Sequence, residues 1–525
     1  MKILGLLSFL FCFNSRAAIP SFRWATSAGG MANLGEGVTT DIFGDILICG
    51  GFPGTISFAN TNLTSRGGDD IFLAKYNRSG ALVWARQAGG TASAGPGTSG
   101  DASYSVATDG SGNIFVSGYF SGTATFGNSS NLTSSGGNDI YLAKYDKDGN
   151  LLWAKRAGGA NHDTGLHIKV DSGGNCYLSG FYRSTASFGG TNLIVAAGNP
   201  TFSDLYLAKY DPAGNVVWAK SAGGNLNDVS YDVAIDANTN IFVTGYFQNT
   251  ATFDTTNVTS AGGQDFFIAK YNSAGTLFWV QSGGGTGADL GRSAASDGTN
   301  VYVTASFQGT ATFGPTNLTS YGGSDVALLK YDGAGTLLWA QQIGGPGNDD
   351  GTVAIDGLGN LYLTGTFSGS ATFGSTNLTA TNLASDIYVA KYTANGNLFW
   401  AKRAGGSNAD SSRDIAVDVG QNVYITGNFA GNASFDSASL SSTNSSDIFL
   451  ARINPDPPLL RYSFTQNIFS LLWSTNWQAI LETSNDLGTS AVWDPVTNAV
   501  SVVAGQNTVT NASNRAHQFY RLYLP

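Results

Sequence analysis

A tryptophan followed a few residues later by a Gly-Gly pair recurs at Trp24, Trp84, Trp153, Trp218, Trp279, Trp339 and Trp400, at intervals of 60, 69, 65, 61, 60 and 61 residues. A near-fixed period means one supersecondary unit copied along the chain, with neighbouring copies burying a face that no single copy can bury alone. This period restricts the chain to stacked or ring-closed repeats.

The unit from Asp101 to Gly159 contains every element in order. An apolar run from Tyr104 ends in the turn Asp109-Gly-Ser-Gly-Asn113, and Ile114–Phe120 follows, rich in β-branched and aromatic residues and without helical spacing. A long polar loop through Phe126, Asn131, Leu132 and Gly136-Gly137 leads to Asp139–Tyr145, a second tight turn Asp146–Asn150, and Leu151-Leu152-Trp153. Four antiparallel strands in about 60 residues fit a propeller blade better than a helical solenoid. Of 36 acidic residues only Glu36 and Glu482 are glutamate, so the carboxylates are of the turn-forming type; 70 glycines agree with a helix-poor chain.

The third strand of each copy opens on an aspartate, at Asp70, Asp139, Asp204, Asp265, Asp325, Asp386 and Asp447. The segment around Trp24 precedes any first strand, and the last copy stops at Arg452-Ile453 without a fourth. The spacing therefore predicts that residues 21–30 supply the missing outer strand of the seventh blade. The expected fold is all-β: a seven-bladed β-propeller of four-stranded blades closed by the N-terminal strand, plus a small C-terminal β-module.

Copies such as Gly112-Asn-Ile-Phe-Val-Ser-Gly-Tyr-Phe120 and Asp139-Ile-Tyr-Leu-Ala-Lys-Tyr-Asp146 resemble the SBBP family of bacterial β-propeller repeats, over about residues 21–453. The resemblance implies a secreted or surface propeller and carries no reaction or ligand. The string Ala143 to Trp153 also resembles the tryptophan-docking motif of quinoprotein dehydrogenases, but departs from it in spacing and in blade number.

Met1-Lys2, the apolar run Ile3–Phe13 and Ser15-Arg-Ala-Ala18 read as a secretory signal with cleavage near Ala17 or Ala18, too short to span a bilayer. The expected domains are thus a signal peptide at 1–17, a propeller at 18–453, a Pro-rich linker at 454–458 and a β-rich module at 459–525. The last resembles modules appended to secreted bacterial proteins through Leu471-Leu-Trp473, Gly505-Gln-Asn507 and Phe519-Tyr-Arg-Leu522. Cys49 and Cys176 sit at different places in their copies and read as buried apolar residues. A net charge of −10 with pI near 4.7 disfavours nucleic acid and anionic membranes as partners.

Both tight turns of each unit lie on one face, leaving the inter-blade loops and the longer loops on the other, where binding usually resides. There an acid recurs ahead of the turn aspartate at Asp101, Asp163, Asp228, Asp289, Asp349 and Asp410. These are the candidate ligand-binding residues, as a carboxylate ring able to hold a hard cation; the competing reading is that each caps its own loop. His162, His167, Arg292 and Arg413 do not repeat and would mark a ligand site. Catalysis has little support: there is no His-Glu-Xaa-Xaa-His and no zinc-spaced cysteine pair, and the acid pairs Asp146/Asp148 and Asp349/Asp350 fall in turns or loops. Five Asn-Xaa-Thr strings, at Asn62, Asn131, Asn257, Asn317 and Asn377, share one place in the repeat and read as a turn that needs both residues. The resulting expectation is a monomeric, cofactor-free, non-enzymatic binding or scaffold protein for polysaccharide or protein at the cell surface. The alternative is a carbohydrate-active or quinone-dependent enzyme.

Overall fold

The computed structural model describes residues 19–30, 34–91, 100–128, 130–196, 201–442 and 445–454, together with short backbone segments between 461 and 523. The leader reading at 1–17 and most of the linker lie outside the described residues. The chain divides into two compact units, Ser21–Asn454 and a second made of Met1–Pro20 with Pro455–Pro525. Among the described residues there is no α-helix, only a 3-10 turn at Thr381–Leu383, and no helix long and apolar enough to cross a membrane.

The described part of the first unit contains seven four-stranded antiparallel meanders, with further short hairpins between their second and third strands. In the second meander the strands are Ala102–Thr108, Ile114–Phe120, Asp139–Tyr145 and Leu151–Ala157, each paired with the next. The innermost strands are Leu34–Thr40, Ala102–Thr108, Thr164–Val170, Val229–Ile235, Leu290–Ser296, Thr352–Ile355 and Ser411–Val417. They touch one another in that order, and the last touches the first. In the seventh meander Asp447–Ile453 pairs on one side with Val423–Phe429 and on the other with Phe22–Ala28, in a register that sets Ala25 against Ala451. Phe22 is buried there, edge-on to Phe435 at 5.2 Å, and its N–H donates to Asp436 Oδ2.

In the second meander the two middle strands are buried along their whole length and show no alternation. Each core cluster spans two meanders: Phe115 and Leu142 of the second pack with Ile168, Leu178 and Tyr206 of the third. This is the burial that a single copy cannot achieve.

The segment expected to be a polar loop is instead a hairpin, Thr123–Phe126 with Ser130–Thr133. Its bond from Thr125 Oγ1 to Asn131 Oδ1, 2.9 Å, recurs at Thr252–Asn257, Thr312–Asn317 and Thr372–Asn377, and its cross-strand hydroxyl pair Thr123–Thr133 recurs at Thr55–Thr64, Thr250–Thr259 and Thr310–Thr319. The Asn-Xaa-Thr strings therefore mark strands, not turns. The hairpin leans back on the preceding meander, pairing Ala124 with Gly90 and Thr125 with Gly89.

That contact explains the Gly-Gly pair. At Gly158, φ 133°, a Cβ would fall 2.9 Å from both Asp139 Cγ and Asp163 Oδ2; at Gly159 it would fall 1.8 Å from the carbonyl of Thr185. Any side chain there would separate two meanders.

A second tie runs between neighbours on the turn face. The indole N–H groups of Trp153, Trp218 and Trp279 donate to the carbonyls of Pro212, Ser273 and Gly333 in the next meander's turn. The same carbonyls accept Nζ of Lys144, Lys209 and Lys270. Trp24 reaches the carbonyl of Arg78 in the first meander, which also accepts from Arg452 of the seventh. Trp84 is covered differently: Arg86 lies over its ring and donates to the Gly149 and Asp148 carbonyls.

In the second unit one sheet runs Arg461–Thr465, Ile468–Ser474, Gln506–Asn511, Ser501–Val503 and another joins Asp494–Pro495, Ile480–Ser484 and Phe519–Tyr523. Val509 is buried within it.

Candidate functional site

The six candidate aspartates do not ring an open mouth. Asp101, Asp163, Asp228, Asp289, Asp349 and Asp410 are all buried. In each, Oδ2 accepts the N–H of the second glycine of the Gly-Gly pair, from Gly90, Gly159, Gly224, Gly285, Gly345 and Gly406 at 2.6–2.9 Å. Oδ1 accepts an N–H at the entrance to the next hairpin, from Ser121, Arg183, Gln248, Gln308, Ser368 and Ala430. Each carboxylate therefore bridges its own inter-meander loop, with both oxygens in use. Burial pushes Asp101, Asp163, Asp349 and Asp410 up to about 7 and Asp228 to about 8 against these donors, while the third-strand aspartates Asp70, Asp139, Asp325, Asp386 and Asp204 push in the same direction. Among the described residues no group of three or more His, Cys, Asp or Glu could hold a metal. Cys49 and Cys176 are free and buried.

The repeat is broken elsewhere, near the start of the innermost strands. Six innermost strands carry a register shift near their start, between Gly35/Gly37, Ser103/Ser105, Gly165/His167, Ser230/Asp232, Gly291/Ser293 and Ser412/Asp414. A bulge of this kind re-aims one side chain without disturbing the rest of the ladder. The extra residues are Glu36, Tyr104, Leu166, Tyr231, Arg292 and Arg413, and no two neighbours are alike. In the sixth meander Asp349 precedes its turn aspartate Asp356 by seven residues rather than eight, and Thr352–Ile355 pairs without a shift. Asp350 and Gly351 occupy the gap.

All seven meanders thereby line a central cavity of about 320 Å³. Its wall carries Glu36, Asp350 and Asp414 with Arg292 and Arg413, and two phenols, Tyr104 and Tyr231. Tyr104 and Tyr231 are half-buried and held by ring contacts to Tyr119 and Tyr246 at 5.7 and 5.8 Å. Arg292 is fixed by a 3.0 Å bond from Nε to Ser306 Oγ and lies over the Tyr231 ring at 5.4 Å. Burial raises the Glu36 carboxyl, opposed by Arg413 and reinforced by Asp414.

Just below, residues after the bulge tie several strands to the next. Asp232 Oδ2 accepts from Ala294 N, and Asp414 Oδ2 accepts from Val38 N, both at 2.8 Å. His167 Nδ1 stands 2.5 Å from Asp232 Oδ1. Burial alone would raise Asp232, but His167 and Lys169 hold it below the usual carboxylate range. Asp232 and Asp414 are thus the cavity floor, while Glu36, Asp350, Arg292 and Arg413 are its working surface.

Of the residues singled out for not repeating, His167, Arg292 and Arg413 reach this cavity. His162 does not; its Nδ1 accepts the N–H of Asn138. Glu36, Tyr104, Tyr231 and Asp350 were not marked by the sequence pattern as cavity residues. Their signal was positional: Glu36 is the one glutamate between residues 21 and 453.

A 26% identical relative, an uncharacterized WD repeat-containing protein of Acanthamoeba polyphaga mimivirus, aligns over 416 residues, 62% of this chain and 30% of its own length. The regulatory protein FlaEY of Caulobacter vibrioides is 30% identical over 178 residues, 30% of this chain and 19% of its own. The chain therefore spans less than a third of each of these curated relatives. Among solved structures, Sqt1 from Chaetomium thermophilum covers 78% of this chain and 97% of its own at 10% identity and a TM-score of 0.37. The phage phi92 endosialidase covers 91% and 76% at 11% identity and a TM-score of 0.34. Residues 338–366, from the outer strand of the fifth meander into the second strand of the sixth, match the family model described as SBBP, beta-propeller repeat. The chain thus carries a β-propeller repeat of the SBBP type at residues 338–366.

Proposed function

We propose that the protein is a non-enzymatic carbohydrate-binding propeller that takes a saccharide into the central cavity. In this reading the seven meanders form a seven-bladed ring closed by Phe22–Ala28, and the protein works outside the cytoplasm, as the leader-like start of its sequence suggests. The observation that carries the ligand class is the pairing of two half-buried tyrosines, Tyr104 and Tyr231, with Glu36, Asp350, Arg292 and Arg413 around one cavity. Tyrosine offers a flat apolar face to the C–H side of a sugar ring, and carboxylates and guanidinium groups satisfy adjacent hydroxyls. A cavity of about 320 Å³ suits a small ligand or the end of a glycan chain, whereas a protein partner would call for a broad surface.

The test is calorimetry of the full chain against a panel of neutral oligosaccharides, with chromatography of the sugar afterwards. One saccharide is expected to bind intact. Arg292→Ala and Tyr231→Leu should each weaken it by about 1.4 kcal/mol or more, a tenfold loss in affinity. Cleavage or oxidation of the sugar would replace binding by catalysis; binding indifferent to both substitutions would move the site elsewhere.

A further inference from the structure

The seam where Phe22–Ala28 joins Asp447–Ile453 differs from the other junctions on the turn face. In the first two meanders the third-strand lysine is neutralised by its own meander: Lys75 lies 2.8 Å from Asp41, and Lys144 lies 3.3 Å from Asp109. At the seam that position is Arg452, whose Nη2 meets the neutral Asn422 Oδ1 while Nη1 donates to the Arg78 carbonyl. Arg452 Nε is buried with no partner. The residue before the tryptophan is apolar and exposed in the other meanders, at Val83, Leu152, Val217, Phe278, Leu338 and Phe399; at the seam it is Arg23. The turn residue whose carbonyl receives the tryptophan is Pro212, Ser273 or Gly333 elsewhere, and here Arg78.

Arg23, Arg78 and Arg452 therefore line, with Trp24 and Ser79, one groove of about 550 Å³, with Arg23 and Arg78 exposed at its rim. None of the three makes an ion pair among the described residues. The acid closest in kind, Asp418, is occupied by Asn422 and the Tyr424 hydroxyl. Three like charges with no ion pair of their own, in a chain of net charge −10, repel one another, and a bound anion relieves that repulsion.

We propose that this groove binds an oxyanion group, a sulfate ester or carboxylate, carried by an acidic polysaccharide. Planar guanidinium forks match both groups bidentately. The groove lies at the opposite end of the strands from the central cavity, since Arg452 pairs with Tyr424 whereas Ser412 pairs with Gly427. It is therefore a separate site and does not rest on the saccharide reading above.

The test uses the full chain on dextran sulfate, polygalacturonate and neutral dextran, with wild type, R23L alone and the double variant R23L/R78A. R23L installs the residue type of the other meanders, and R78A keeps the carbonyl that Trp24 and Arg452 use. Binding to one acidic polymer is expected, weakening with added salt and absent on neutral dextran. The double variant should lose at least tenfold and R23L severalfold, at unchanged Tm. Preference for dextran sulfate or polygalacturonate assigns the sulfate ester or the carboxylate. Equal binding by wild type and R23L, or no binding of either acidic polymer at low salt, overturns the proposal.

Discussion

Between neighbouring meanders the same residues return at the same places: an aspartate across two glycines, an indole on a turn carbonyl, a lysine beside it. Around the central cavity the corresponding positions hold Glu36, Tyr104, Leu166, Tyr231, Arg292 and Arg413, with the sixth left out altogether. The two regions share strands, and some of their residues are only a few positions apart. What separates them is constraint. A junction must present the same shape to its neighbour every time, whereas a bulge residue faces only the cavity and is free to carry a different chemical group in every copy. Repetition thus marks architecture, and its failure marks the surface available to a ligand.

The sharpest way to break this contrast is to remove the strand Phe22–Ala28. Loss of its ladder and of buried Phe22 should lower Tm by about 10 °C or more, or leave no folded protein; an unchanged melt would mean the seventh meander does not need it. Next in size, Trp153→Ala forfeits the bond to Pro212 and the edge contact to Phe115 at 5.9 Å, and should cost about 3 kcal/mol in urea unfolding. Asp163→Ala leaves two half-buried N–H groups without an acceptor and should cost about 2 kcal/mol.

A smaller effect follows from pH. Asp101, Asp163, Asp228, Asp349 and Asp410 keep their proton to about 7 or 8 in the folded chain but titrate near 3.8 unfolded, so the folded state binds more protons between those values. Stability is then greatest on the acid side of this window and falls as pH rises through it. Tm measured at pH 5 should exceed that at pH 8 by several degrees, and Asp228→Asn should reduce the difference. At the foot of the scale, Glu36→Gln in the cavity should change stability by less than about 0.5 kcal/mol. A large loss there would make the cavity wall structural.

The period, the strand order and the loop-capping role of the aspartates were legible because each repeats, and repetition multiplies a weak signal. The Thr123–Phe126 hairpin was not: its strands are four residues long and alternate Thr, Asn and Ser with single apolar residues, which reads as a polar loop until the neighbouring Gly-Gly backbone is there to pair with it. The bulges were hidden for another reason. One added residue leaves the run apolar and flips a single side chain, so Tyr104 and Tyr231 look like core aromatics, while His167, Arg292 and Arg413 stand out only because charge is rare in these strands. The deletion in the sixth meander was visible as a spacing of seven in place of eight, yet its meaning needed the register.

The tie between Phe22 and Asp436 joins residues 414 positions apart. During synthesis the first strand leaves the ribosome long before its partner exists, and must wait unpaired while six meanders form beside it. Pairing of Phe22–Ala28 with Asp447–Ile453 is then a late event of folding and one of high contact order. In that interval a waiting strand can pair with the late segment of another chain, so slow translation near residue 447 would favour linked dimers over single chains.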